Sequence, residues 1–345
     1  MQAVGDAYRA AGVGAVYLAH GTFTGFDACG ILADLSRLFP AVADMLGRVA
    51  KTIVDTIARE YGNYTLEYAQ LFEEAMARPG ERRVPVRLFH WSSENHHIGR
   101  ADGAVRLLDE LASHELPEGK RVLIWGHSHA GNVMALVSNL LSRDQATIDE
   151  FFHAARLYYR WPWTGLVDVP VWYRAERLLA DPRRRAALQS LDLATFGTPV
   201  RYGWDESGYA NLLHFIFHKP RPGLPREQAE FPPHLADVLH AAGGDYVQQF
   251  GIAGTDVLPS PVAWRAFMAD RRLHELFEPC TSPANLNARL MRGRRTHDRG
   301  TTLLVDYGAV EGPVSQHLAG HAVYTLPEWL LFHAEQVARR FYGAA

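Results

Sequence analysis

Ser128 stands at the centre of Trp125-Gly126-His127-Ser128-His129-Ala130-Gly131. Gly126 and Ala130, two places before and after it, leave room for a sharp, strained turn that lifts the hydroxyl clear of its neighbours. A serine hydroxyl is a weak nucleophile at neutral pH and needs a base to take its proton as it attacks. Histidine suits that task, and a carboxylate must then fix the imidazole tautomer and stabilise its charged form. The chain has 17 histidines, so the base has to be chosen by position. His127 and His129 are nearest in sequence, but side chains adjacent on a tight turn point away from the one between them. They are expected to pack or to line the mouth of a site.

Such a turn needs a strand before it and a helix after it. Val122-Leu123-Ile124-Trp125 is a short apolar run that suits a strand buried on both faces. Ala130, Val133, Met134, Val137, Leu140 and Leu141 recur at helical spacing. Ala15 to Ala19 reads as an earlier strand that runs into His20-Gly21-Thr22. Residues 28–78 read as helical, Val84 to Trp91 as a strand and Ala101 to Leu111 as an amphipathic helix. Leu191 to Phe196 is a further strand, ending at Gly197-Thr198-Pro199. Tyr246 to Ile252 reads as another strand, Trp264 to Phe277 as a helix and Thr302 to Val305 as the last strand. Thr325-Leu326-Pro327-Glu328 has the residues of a helix start, and the closing helix should run to about Phe341. Strands alternating with helices predict an α/β fold: a mostly parallel sheet with helices on both faces.

With strand and helix on either side, the Ser128 segment resembles the nucleophile elbow, G-x-S-x-G, of the α/β-hydrolase superfamily, with Ala130 in place of the last glycine. The stretch His20-Gly21-Thr22-Phe23-Thr24-Gly25-Phe26-Asp27 is similar to the oxyanion loop of bacterial lipases, and Gly197-Thr198-Pro199 to the segment that precedes a lipase lid. The likeness holds at the key loops from about residue 15 to the C-terminus.

The resemblance implies one hydrolase domain over residues 1–345 and the chain order serine, acid, histidine. His321, after Gly320 and before the closing helix, is then the expected base, with His317 the alternative. Asp256, after the Tyr246 to Ile252 run, is the expected acid, with Asp306 and Asp205 the alternatives. The backbone N–H groups of Thr22 and His129 are the expected oxyanion donors. Segments 28–78, 145–190 and 200–240 exceed a bare hydrolase sheet. The latter two are rich in aromatic residues and proline, which suits a cap that binds an apolar acyl group. The implied activity is lipase- or esterase-like cleavage of a small carboxylic ester through an acyl-enzyme, with no cofactor. A thioesterase or acyltransferase would use the same groups, and a non-catalytic hydrolase-like binding protein is the reading from another class.

Composition narrows the field. A net charge of −3 gives no electrostatic case for nucleic acid. No apolar stretch reaches ~18 residues, so no transmembrane helix is expected. The N-terminus lacks a basic segment followed by an apolar one, which points to the cytoplasm. Cys29 and Cys280 demand no disulfide. His90, His96 and His97 cluster near one strand end, and His214 and His218 are four apart. Yet no His-Glu-x-x-His or paired-cysteine spacing occurs, and no metal is expected.

Overall fold

The computed structural model describes residues 1–21, 62–114, 120–188, 190–230, 232, 234–252, 256, 258–278, 293–310 and 314–344. The helical expectation for 28–61 lies outside these residues, as do Thr22, Cys29 and Cys280. In chain order the main elements are α1 Gln2–Ala10, β1 Val13–Ala19, α2 Leu66–Met76, β2 Val86–Phe89, α3 His97–Ser113, β3 Arg121–His127, α4 Ala130–Ser142 and α5 Gln145–Tyr159. There follow α6 Pro170–Leu179, β4 Leu191–Phe196, β5 Asn211–Phe217, α7 Tyr246–Ile252, α8 Trp264–Phe277, β6 Thr301–Val305 and α9 Leu330–Tyr342.

The strands form one sheet of order β2-β1-β3-β4-β5-β6, every pair parallel. Side chains alternate between its faces with the strand period of two. On β3, Val122 and Ile124 join the core built with α3, α4, α5, α6 and α8. Leu123 and Trp125 join the opposite core, built with α1, α2 and α9. Both faces are therefore covered, and the central strands are buried nearly end to end and mostly apolar rather than alternating. This is an α/β fold with helices on both faces. Among the described residues no helix is long and apolar enough to cross a membrane.

The strand order also locates a crevice. From β1 the chain moves outward to β2, then returns past β1 to add β3 on the other side. Connections leaving the carboxyl ends of β1 and β3 thus part in opposite directions, which is where open α/β sheets bind ligands. His20-Gly21 ends β1 there, and Ser128 ends β3.

Three sequence expectations change. Tyr246–Ile252 is a helix, not a strand. Tyr246, Gln248 and Gln249 are buried while Val247 is 38% exposed, so burial does not alternate, and Asp245 caps the first turn through a bond from the Gln248 N–H, 2.9 Å. The missing strand is Asn211–Phe217, placed by sequence inside the 200–240 insertion. Its run Leu212-Leu213-His214-Phe215-Ile216-Phe217 is wholly buried between β4 and β6, with His214 donating to or accepting from Thr195 Oγ1 at 2.6 Å. His214 and His218 therefore do not share a helix face. The aromatic residues of 145–190 thicken the helical layer on the first face: Trp172 stacks on Tyr159 with centroids 5.3 Å apart, and its indole N–H donates to Asp102 at 2.7 Å. Finally, Thr325 does not cap the closing helix. Residues 321–325 and 327–329 form 3-10 turns, and the Thr325 hydroxyl donates to the Ala322 carbonyl, 3.1 Å.

Candidate active site

The turn around Ser128 is held from three sides. Its backbone has φ +55°, a left-handed conformation that costs a non-glycine residue on the order of 1–3 kcal/mol. The Ser128 N–H donates to the Phe196 carbonyl at the end of β4, 2.8 Å. Its carbonyl accepts from the Thr198 hydroxyl, 2.9 Å, and from the Gly131 N–H, 3.1 Å. Gly126 is required by close approach, since a β-carbon there would run into Met134 Sδ. Gly197-Thr198 thus clamps the turn from the neighbouring strand.

His129 follows as the residue that opens α4. Its backbone N–H has no acceptor among the described residues, as expected for the first amides of a helix. The side chain is 6% exposed, and Asn132 Nδ2 donates to its Nδ1 at 3.3 Å. Burial, reinforced by Arg100 and Arg201, holds it well below the usual histidine range, so this ring is neutral. The other expected oxyanion donor, Thr22, lies outside the described residues. Gly21, just before it, sits against the elbow: a β-carbon there would be 2.7 Å from Ser128 Cβ.

His321 reaches this place after three consecutive left-handed residues, Leu318, Ala319 and Gly320. Its ring lies on that of His127, the residue before Ser128, with centroids 4.6 Å apart. His127 Nε2–H donates to the His321 carbonyl, 3.0 Å, and fixes the loop. His127 is pushed down to about 3, chiefly by burial, and so adds no positive charge beside His321. His321 Nδ1–H donates to Asp245 Oδ2 at 2.7 Å. Its other nitrogen, Nε2, is buried and has no hydrogen-bond partner among the described residues. His317, the alternative base, is buried one turn earlier, and the hydrogen bond to Asp245 is made by His321.

The carboxylate beside His321 is therefore Asp245, not Asp256. Asp245 is wholly buried at the start of α7, and its N–H donates to the Phe217 carbonyl at the end of β5, 3.0 Å. Oδ1 accepts from the Gln248 N–H, 2.9 Å; Oδ2 accepts from His321 and from the Tyr324 hydroxyl, 3.0 Å. Burial alone would raise its pKa, but His321, these hydrogen bonds and Arg295 outweigh that and hold it below the usual carboxylate value. Arg295 is buried beneath, donating to the Asp245 and Gly243 carbonyls and to Gln248 Oε1. Gly197, with φ +59°, completes the packing: a β-carbon would lie 2.5 Å from Tyr324 Cε2 and 2.6 Å from Asp245 Oδ2. The sequence carries a local signal for Asp245, an Asp-x-x-Gln pattern after two glycines, which reads as a helix start.

Asp256 instead belongs to a separate ion cluster. It accepts from Arg100 Nη2 at 2.9 Å and Arg201 Nη2 at 2.6 Å, and Arg201 also bonds Glu278 at 2.6 Å. Although burial opposes ionisation, the two guanidinium groups hold its pKa far below the usual value. The alternatives are elsewhere: Asp205 caps a 3-10 turn through Ser207, and the Asp306 side chain accepts from Gly308 N–H in an exposed turn. His97, Asp256 and Glu278 offer ligand atoms within 4.8 Å of one another, but Arg201 Nη2 bridges the two carboxylates where a cation would sit.

No protein family, curated protein or solved structure matches the chain.

Proposed function

We propose that the chain is a serine hydrolase that cleaves carboxylic esters through an acyl-enzyme, with Ser128 the nucleophile, His321 the base and Asp245 the acid. The observation that carries this reading is the His321–Asp245 pair at 2.7 Å, with the second imidazole nitrogen left unpartnered on a loop fixed to the residue before Ser128. The strained serine turn at the sheet's crevice adds support.

Asp245 holds the proton of His321 on Nδ1, which leaves the Nε2 lone pair free to accept. Ser128 Oγ attacks the ester carbonyl carbon as its proton passes to Nε2, and the carbonyl π electrons move onto oxygen. The His129 N–H, at the start of α4, donates to that developing oxyanion; such a donor typically contributes ~3 kcal/mol. Collapse expels the alkoxide, which takes the proton from Nε2. Water then repeats the sequence on the acyl-enzyme: His321 takes its proton, the acid is released, and Ser128 Oγ regains hydrogen. Buried, charged Asp245 stabilises the imidazolium in both halves. The fold alone supports many chemistries, so the reading rests on these residues and not on the sheet.

The test is hydrolysis of p-nitrophenyl esters of increasing acyl length by wild type and Ser128→Ala. Wild type should turn over with saturation, and the variant should fall by at least ~10³-fold. Equal rates for the two proteins would remove Ser128 from the reaction.

A further inference from the structure

The segment between β2 and α3, Trp91-Ser92-Ser93-Glu94-Asn95-His96, is buried almost throughout yet contributes no member of the triad. Ser93 is its most constrained residue. It is fully buried, and its backbone has φ +63°, a left-handed conformation that a non-glycine residue keeps only where its surroundings enforce it. Its hydroxyl lies 2.9 Å from His20 Nδ1, which ties the segment after β2 to the residue that ends β1.

His20 is held by its backbone and its ring at once. The Trp91 indole N–H donates to the His20 carbonyl, 2.8 Å, and the Trp91 backbone N–H donates to His20 Nε2, 3.4 Å. The two rings lie nearly parallel, 17° apart, with centroids 6.1 Å from each other. Burial pushes His20 down to about 4, so the ring is neutral and carries one proton. Because Nε2 accepts from Trp91, that proton sits on Nδ1. Nδ1–H then faces two acceptors, Ser93 Oγ and, at 3.1 Å, the Gly21 carbonyl.

Gly21 is where this network meets the serine turn. A β-carbon on Gly21 would be 2.7 Å from Ser128 Cβ and 3.2 Å from His127 Nδ1, so bare backbone is packed against the serine. That backbone limits where the Ser128 side chain can turn. A His20 ring released from Ser93 or Trp91 would let the Gly21 carbonyl move and open space beside Ser128 Cβ.

Building on Ser128 as the nucleophile, we propose that Ser93 and Trp91 are positioning residues for it: through His20 they hold the Gly21 backbone against Ser128 and keep its hydroxyl aimed in one direction. Neither touches the reacting atoms. Their effect falls on the alignment of attack, where a displacement of about 1 Å can cost ~10²-fold, and not on the affinity for substrate.

Ser93→Gly and Ser93→Ala separate the hydroxyl from the strained backbone. Glycine relieves the left-handed conformation and alanine keeps it, while both delete the bond to His20. Each full-length variant is assayed for kcat and KM with p-nitrophenyl butyrate and for its rate of covalent labelling at Ser128 by a fluorophosphonate ester, with near-ultraviolet circular dichroism to establish folding. Both should lose about tenfold or more in kcat, with KM within about threefold of wild type, and should be labelled more slowly in the same proportion. Trp91→Phe, which keeps a ring but removes the indole N–H, should do the same, and it carries the test where a Ser93 variant does not fold. Ser138→Ala is the control: Ser138 is equally buried, but its hydroxyl donates to the Ala135 carbonyl within α4, 2.8 Å, so kcat should stay at the wild-type value. Wild-type kcat and labelling in the folded variants, a loss in Ser93→Ala that Ser93→Gly restores, or a rise in KM alone would overturn the assignment. A wild-type protein that hydrolyses the ester with Ser128 unlabelled would overturn the reading of the nucleophile, and this role for Ser93 and Trp91 with it.

Discussion

Replacing Asp245 by Asn tests the acid in a way that its hydrogen bonds make quantitative. The carboxylate receives three donors, the Gln248 N–H on Oδ1 and the His321 N–H and Tyr324 O–H on Oδ2. An asparagine amide has one oxygen to place. With oxygen at the Oδ2 position it keeps two donors and sets its NH₂ against the Gln248 N–H; reversed, it keeps one and loses two. At ~1 kcal/mol per net hydrogen bond, and more for each buried group left unmade, the first orientation wins by about 1–3 kcal/mol. The imidazole then keeps its proton on Nδ1, and only the negative charge is lost. Leaving a buried imidazolium uncompensated costs ~3–4 kcal/mol, so kcat/KM should fall by about 10²–10³-fold. Adding Tyr324→Phe removes one of the two votes for that orientation, since the Tyr324 hydroxyl also receives the Phe217 N–H, 2.7 Å, and has no other use at the site. The amide is then free to turn its NH₂ toward His321, which forces the wrong tautomer. The double variant should fall to roughly 10⁴ below wild type, about tenfold or more beyond Asp245→Asn alone. The assay is kcat/KM for p-nitrophenyl butyrate, with near-ultraviolet circular dichroism to establish folding. An Asp245→Asn rate within threefold of wild type, or a double variant no worse than the single, would refute the reasoning.

Other perturbations follow from the same geometry. Asp256→Asn strips a charge from between Arg100 and Arg201, so it should lower stability by about 3–5 kcal/mol in urea unfolding while the folded protein keeps its esterase rate within about tenfold. Gly197→Ala adds a β-carbon against Tyr324 and Asp245 at a left-handed φ and should cost about 2–3 kcal/mol and at least tenfold in kcat; Gly203→Ala, with nothing within 4 Å, is the neutral control. Acid should unfold the protein early. His20, His127, His297 and His333 are pushed down to about 4, about 3, about 4 and about 3 by burial, and His97 to about 2. The unfolded chain binds protons on these residues below pH ~6.5 and the folded chain does not, so stability is intact above that pH and falls below it. At pH 5 each contributes about 2 kcal/mol of destabilisation, together comparable with a whole domain's ~5–15 kcal/mol. A thermal melt unchanged between pH 7 and pH 5 would contradict this.

What the sequence discloses depends on how local the signal is. The turn at Ser128 is legible because its strand, small neighbours and helix are contiguous, and the α/β alternation is legible because apolar runs and helical periods are long. The contact of Asp245 with His321 is not, for two physical reasons. Leu212 to Phe217 lies on a strand covered on both faces, so it lacks alternation and resembles any apolar stretch among prolines. Misplacing that strand moves the expected partner of His321 away from Asp245, the carboxylate it meets. Tyr246 to Ile252 is too short for its period to be read, and only Asp245 as a cap, bonded to the Gln248 N–H, marks it as a helix. Asp256 fits its expected position in chain order, yet its surroundings, two guanidinium groups from distant segments, come only from tertiary packing. His127 is likewise legible only as a neighbour of Ser128; its contact with His321 joins residues 194 apart in sequence.

The central claim is that Ser128 is an activated nucleophile, and covalent capture tests it most directly. Wild type is treated with a fluorophosphonate ester and digested, and the peptide spanning residues 122–143 is sequenced by mass spectrometry. One phosphonyl group on Ser128, appearing in step with loss of ester hydrolysis and absent from Ser128→Ala, is the predicted result. An unlabelled Ser128 in a protein that still hydrolyses esters, or equal labelling of the Ser128→Ala variant, would contradict it.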